Sequence, residues 1–259
     1  KLYLKGLNSG KEETIKTFSE PRIIYLHNRA NLGLSKSFNI GIKAARGHYI
    51  ARMDADDISG PDRFKKQLEF LKSHPEIDIV GTAVKIIDEF GRGSKVISKP
   101  STHTELKWQS LLSTPLFHPT IMAMAQVLKN NPFDETLFNS EDYELWSRLL
   151  FNKSVQLANL TEPLLLYRIT DQAFTRQLNP TKRAASAENS IKNIEQYVAL
   201  TLEEKSLIIK SKKESHLSIG EFFSLTKLYR RVANAFATKE KFNPPLSYHT
   251  ISLLKQVLK

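Results

Sequence analysis

The chain has 259 residues, 41% hydrophobic and 25% charged, and its 38 Lys and Arg against 27 Asp and Glu give a formal charge of +11. That length allows one large domain or a domain with an appendage, and the balance of residue types excludes wholesale disorder. Cysteine is absent, which excludes a disulfide scaffold, a thiolate metal site and a cysteine nucleophile, and no apolar run is long enough to span a membrane.

Residues 23–26 form a β-branched and aromatic run that predicts a buried strand. Ser35 is placed to cap a helix running to Ala45, with Gly47 as its stop. Residues 48–53 predict the next strand. Pro61 then marks a helix start, and Phe64, Leu68 and Leu71 carry an apolar face to Ser73. Residues 77–87 are apolar and β-rich around Gly81. Helical patterns return at 105–112 and 143–151, and residues 155–157 and 164–167 read as late strands. Alternation of this kind predicts an α/β layered domain over residues 1–170.

The pattern changes over residues 171–259, where 15 basic residues meet 8 acidic ones. Thr201-Leu-Glu-Glu204 and Ser218-Ile-Gly-Glu221 both fit the capping box that opens a helix. The second precedes Phe222, Phe223, Leu225, Leu228, Tyr229, Val232 and Phe236, interleaved with Lys227, Arg230 and Arg231. That is an amphipathic basic helix. Two readings are compatible: packing on the first domain, and peripheral contact with an anionic membrane surface. Residues 251–258 are a further short helix candidate. A nucleic-acid partner is not expected, because no recognised motif accompanies the charge and acids are mixed among the bases.

The most informative segment is Tyr49-Ile-Ala-Arg-Met-Asp-Ala-Asp-Asp57, an apolar strand running into three carboxylates. Clustered carboxylates repel unless a cation neutralises them, and hard divalent ions prefer oxygen ligands. Ligands of open α/β sheets lie at the carboxyl ends of strands. Taken alone, an Asp-x-Asp such as Asp54 and Asp56 is more often a loop or a helix cap than a metal site. Around them stand Asn31-Leu-Gly33, Ser59-Gly-Pro-Asp-Arg63, Ile79-Val-Gly81, Pro115-Leu-Phe-His-Pro-Thr120, Ser140-Glu-Asp-Tyr-Glu-Leu-Trp-Ser-Arg148 and Leu166-Tyr-Arg168. In this order, residues 7–170 closely resemble the family 2 glycosyltransferases of GT-A fold, the non-processive type that builds bacterial lipopolysaccharide, capsule and exopolysaccharide.

The resemblance implies an inverting, metal-dependent transfer from a nucleotide-diphospho-sugar, with uridine the commonest nucleotide, to a saccharide or lipid-linked acceptor. It implies a GT-A mixed sheet flanked by helices, with the C-terminal helical region as an appendage. Asp54 and Asp56 would hold Mn2+ or Mg2+, and Asp57 would be a third ligand or an acceptor contact. Asn31 and Gly33 would border the nucleotide. Arg52 is placed either for phosphate or sugar, or for a strand salt bridge. Glu141 and Asp142 would be the catalytic pair, with Asp142 as general base; on residues alone the acidic start of a helix is the favoured reading, which the resemblance reverses. His118 would bind sugar, orient a carboxylate, or sit buried. Trp146 reads as core.

The chain departs from the family's pattern at its beginning. The family's first apolar strand has no counterpart, and Leu2-Tyr-Leu-Lys-Gly-Leu-Asn-Ser9 is the nearest match to its second strand, with Gly6 and Leu7 where the family has two aspartates. Glu12 or Glu13 would stand near a later aspartate. Thr170 and Asp171 stand where the family often has a histidine. The chain is therefore expected either to lack part of its natural beginning or to have lost donor-base recognition, the second giving a non-catalytic binding or scaffold relative. The exposed sheet edges call for a partner chain to cover them. The expected location is cytoplasmic, at the inner face of the membrane if the basic region touches lipid.

Overall fold

Alternation along one strand decides the layering of this molecule. Ile79 and Val80 point to opposite faces, as neighbours on a strand must. Ile79 joins a core with Leu106, Leu116, Leu145, Trp146, Leu149 and Leu157. Val80 joins a smaller core with Leu71 and Met122. Both faces of the sheet are therefore covered, which is why residues 79–87 are mostly apolar and buried, with Lys85 the exposed exception.

The structure, a computed structural model, describes residues 2–6, 20–28, 30–137, 140–169, 180–213 and 216–245. The strands are β1 (Leu2–Gly6), β2 (Ile23–His27), β3 (Tyr49–Ala51), β4 (Ile58–Ser59), β5 (Ile79–Ile87), β6 (Gly93–Ile97), β7 (Met122–Met124) and β8 (Leu157–Arg168). β1 and β2 form a parallel pair in which Leu2 faces Ile23. The larger sheet runs β3-β7-β5-β8-β4, with β6 also on β5. β5 and β8 are parallel and the other pairs antiparallel. This is the curled mixed sheet expected of a GT-A fold. Gly81 pairs with Asn159 of β8, whose side chain fills the space beside it: a Cβ there would stand 2.5 Å from Asn159 Oδ1.

The helices are α1 (Leu34–Ala44), α2 (Arg63–Ser73), α3 (His103–Ser110), α4 (Ala125–Asn130), α5 (Glu141–Leu150), α6 (Pro180–Ile194), α7 (Leu202–Lys213) and α8 (Ile219–Glu240). α2 covers one face of the sheet through Leu71. α1, α3 and α5 cover the other, through Ile42, Leu106 and Leu145. Behind α3 lies a second core, where Trp108 and Leu111 meet Ile194, Ile208, Leu225, Val232 and Phe236 of the last three helices. Both capping boxes form: Thr201 with Glu204, and Ser218 with Glu221.

Several local expectations are corrected. Ser35 does not cap α1; Gly33 does, at φ 76, and Ser35 is buried one residue inside the helix. The third helix starts at a Thr102 capping box rather than near Glu105. The two late strands are one, β8, which keeps its pairing with β5 by shifting register around Thr82 and Ala83. On α2 the inward face is Arg63, Gln67 and Leu71, whereas Phe64 is 49% exposed. The short elements β4, β6, β7 and α4, and the longer α6, were not anticipated. Glu12, Glu13, Thr170, Asp171 and the 251–258 candidate lie outside the described residues.

Candidate functional site

β3 ends at Ala51, and the chain turns at once into the acidic segment, where the Asp57 amide donates to the Asp54 carbonyl. Asp54, Asp56 and Asp57 can each present an oxygen within 4.8 Å of the others. Their surroundings fix the turn from three sides. Arg52 forks onto Asp54, with Nη1 2.7 Å from Oδ2 and Nη2 2.5 Å from Oδ1. The Arg168 amide donates to Asp57 Oδ1 at 2.9 Å, and its guanidinium donates to the carbonyls of Asp56, Asp88 and Glu89. Arg63, fully buried, donates through Nη2 to the Arg52 carbonyl at 2.7 Å.

Asp57 is the strained member of this cluster. Its Oδ2 is buried and has no partner. Burial pushes its carboxyl up to about 7, only partly opposed by the Arg168 amide, while Asp54 and Asp56 add repulsion. Asp54 is raised too, by burial first, with Arg52 working against it. A buried acceptor without a donor beside two further carboxylates is a donor set suited to a hard divalent cation.

The second pair of acids arrives on α5. Glu141 and Asp142 occupy its first turn. Ser140 precedes them at φ 60, and its side chain makes no capping bond; its Oγ donates instead to the Lys182 carbonyl of α6. The acids themselves therefore face the amino end of α5, where negative charge is favoured. They also face the aspartate turn. Asp142 contributes repulsion at Asp54, and Arg52 and Lys182 contribute attraction at Glu141, whose carboxyl burial raises. Arg52 thus bonds one acidic group and lies within electrostatic range of the other.

Beneath Arg52 lies an aromatic floor. Its guanidinium carbon is 5.1 Å from the Phe38 ring centre. His118 meets Phe38, Phe133 and Trp146 at ring distances of 5.3, 5.6 and 5.6 Å. Burial and the nearby Arg52 charge hold this imidazole well below its usual range, so it is neutral, and neither ring nitrogen has a partner. Trp146 is fully buried core. Asn31 Oδ1 accepts from the Gly33 amide at 3.1 Å and so shapes the entry to α1. No described contact joins Asn31 or Gly33 to the carboxylates.

Three functional candidates escaped the residue reading. Arg63 and Arg168 were seen only as parts of motifs, yet both clamp the aspartate turn. Lys99 donates to the Thr114 carbonyl at 3.0 Å and feels the charge of Asp142; burial pulls its amine down to about 8. A lone Lys in a polar stretch carries no sequence signal of this.

A mixed α/β sheet with an acidic turn after one strand, and a second acidic pair at a helix start, is the arrangement that the resemblance to GT-A glycosyltransferases implies. Residues 8–130 match the family model described as "Glycosyl transferase family 2". An uncharacterized glycosyltransferase of Methanocaldococcus jannaschii is 36% identical over 169 residues, 64% of this chain and 58% of that protein. The putative glycosyltransferase EpsE of Bacillus subtilis is 37% identical over 161 residues, 60% of this chain and 56% of that protein. The chain thus spans little more than half of these relatives. Among solved structures, S. aureus TarS 1–349 in complex with UDP-GlcNAc superposes with a TM-score of 0.54 at 17% identity, over 96% of this chain and 77% of that one. At that identity the likeness concerns the fold.

Proposed function

We propose that this protein transfers a glycosyl group, with inversion, from a nucleotide-diphospho-sugar to a hydroxyl of a saccharide or lipid-linked acceptor. The observation that carries the reading is the Asp54–Asp56–Asp57 cluster, which lies within electrostatic range of Asp142, with Arg52 bonded to Asp54 and within electrostatic range of Glu141. One acidic group suits a cation and its diphosphate, and the other suits a proton transfer.

Asp54, Asp56 and Asp57 would hold Mn2+ or Mg2+, and the unpartnered Asp57 Oδ2 fits that role. Bound there, the ion would supply Lewis-acid stabilisation of the departing nucleoside diphosphate. Asp142 takes the proton of the acceptor hydroxyl. That oxygen forms its bond to the anomeric carbon as the carbon–diphosphate bond breaks on the opposite face. General-base assistance of this kind contributes roughly 10²–10⁴-fold. Glu141 lies next to the base, Arg52 serves the phosphates or the sugar, and His118 supports Arg52 from below. Asn31 and Gly33 shape the loop assigned to the nucleotide.

The UDP-GlcNAc complex of TarS supports a uridine donor. The Erwinia amylovora relative AmsE, named for amylovoran biosynthesis, supports a cell-surface polysaccharide product. Among the described residues no helix is long and apolar enough to cross a membrane. Ile219 and Phe223, 67% and 64% exposed on α8 and followed by Lys227 and Arg230, support peripheral contact of the 171–259 region with an anionic surface from the cytoplasmic side. Among the described residues β3 is an end strand of the sheet, which supports pairing with a further strand from a second chain or elsewhere.

Gly6 at the end of β1, where the resembled family carries an aspartate, favours a second reading: a relative that has kept the fold and lost donor-base recognition. Release of nucleoside diphosphate from a nucleotide-sugar, with acceptor, separates the two. Asp142→Asn is expected to lower turnover by about 10² or more while keeping metal-dependent donor binding, and Asp56→Ala to lose that binding. Turnover by Asp142→Asn near the wild-type rate would disprove the base assignment, and absence of donor binding by the wild-type chain would establish the second reading.

A further inference from the structure

The Arg52 side chain is 13% exposed, and its fork takes both oxygens of Asp54. Those oxygens belong to a residue that the proposed function assigns to the cation. In this arrangement a guanidinium already occupies the near side of the cation site. The backbone of Arg52 is held firmly, because its amide donates to the Ile121 carbonyl and its carbonyl accepts from Arg63. The side chain is held far less evenly. Its Nε is buried without a partner, the Phe38 ring lies at 5.1 Å, and Arg63 faces it with like charge. Asp54 is its one hydrogen-bonded anion among the described contacts.

We propose that Arg52 is a placeholder cation that occupies Asp54 in the unliganded site and moves to the donor's diphosphate when cation and nucleotide arrive together. The inference rests on the reading of Asp54 and Asp56 as cation ligands. A guanidinium matches a carboxylate and a phosphate with the same two-pronged geometry, so the exchange keeps its hydrogen bonds. A divalent ion arriving alone meets this guanidinium as a like charge and must share Asp54 with it. A divalent ion arriving with a diphosphate brings the anion that draws the guanidinium away. Each ligand therefore strengthens the binding of the other, and by linkage the effect is reciprocal. The buried Nε, aimed at no acceptor, gives the displaced guanidinium an additional donor to use.

The test is binding, not turnover. Free Mn2+ counted by electron paramagnetic resonance gives the affinity for Mn2+ alone in the wild-type chain, Arg52→Met and Arg52→Lys. Calorimetry with UDP, with and without Mn2+, gives the coupling. Arg52→Met is expected to bind Mn2+ alone about tenfold tighter than wild type, the scale of one partly screened charge contact. Its Mn2+–UDP coupling is expected to fall by a similar factor. Arg52→Lys, which keeps the charge and loses the fork, is expected to lie between the two, and it carries the same comparison if Arg52→Met melts early. Mn2+ affinity unchanged or weaker in both variants overturns the proposal. Asp56→Ala distinguishes this failure from failure of the site itself: if that variant keeps wild-type Mn2+–UDP binding, the ligand assignment is wrong, and the placeholder role falls with it.

Discussion

Arg63 shows what a single residue contributes to this site. It lies on the inward face of α2, fully buried and without a hydrogen-bonded carboxylate among the described contacts. Burial lowers its guanidinium to about 10, still far above neutrality, so it remains charged. Its Nε donates to Gln67 Oε1, and its Nη2 donates to the Arg52 and Ile121 carbonyls; Gln67 in turn donates to the carbonyls of Val80 and Thr120. The pair fastens the backbone just before Asp54 to the middle of the sheet. Arg63→Met would leave the Arg52 carbonyl without its donor, at about 1–3 kcal/mol for a group left buried and unmet, whereas the Ile121 carbonyl keeps the Arg52 amide. Urea unfolding is expected to show that loss, and calorimetry a weaker metal-dependent donor affinity; stability and affinity both at the wild-type level would contradict the role. A sequence reader who looks for apolar spacing passes over this face, because Phe64 and Leu68 supply an equally good apolar stripe. The carbonyls that call for Arg63 and Gln67 belong to distant strands, and nothing local announces them.

At the scale of elements, α5 is the part that matters most, since its first turn carries Glu141 and Asp142. It is gripped from behind by a buried polar network. Tyr143 donates to the Ser110 carbonyl at 2.6 Å and faces Ser190 of α6, while Asn193 donates to the same carbonyl and to Ser147. Lys212 of α7 completes the joint by donating to the Leu112 carbonyl and to Ser186, 5.8 Å from the Tyr143 ring. Burial alone pulls this amine down to about 7 from an ordinary value of 10.5. The sign follows directly. Between those values the unfolded chain binds a proton that the folded chain does not, so the stability of the fold rises with pH across that window. Below about pH 7 the full penalty of a buried cation is present. Lys212→Met is therefore expected to raise the melting temperature near pH 7 and to flatten the rise in stability toward pH 10. An unchanged pH slope, read by thermal melts in a buffer series, would rule this out. The start of α8 and that of α7 were legible as capping boxes, a local device. The network was not, because it joins residues 110, 143, 193 and 212 that only the tertiary packing brings together.

For the molecule as a whole, strand–helix alternation foretold the α/β layering, and ordered motifs foretold the two acidic groups. Those signals survive because they depend on period and local chemistry. Short edge elements such as β4 and β7 have too few residues to show a period, and the break between two late strands proved to be a register shift inside one. The second core, in which Trp108 of α3 meets Phe236 of α8 with ring centres 5.1 Å apart, ties the C-terminal helices to the helix that packs behind α5. The described helices of the basic region, α6, α7 and α8, are thus packed against the body that carries the site. Whether this body binds a nucleotide-sugar through its aspartate turn is the account's central claim. Calorimetric titration with UDP, with and without Mn2+, tests it most directly. The account predicts binding that requires Mn2+ and disappears in Asp56→Ala; UDP binding that is indifferent to Mn2+, or no binding by a folded chain, would contradict it.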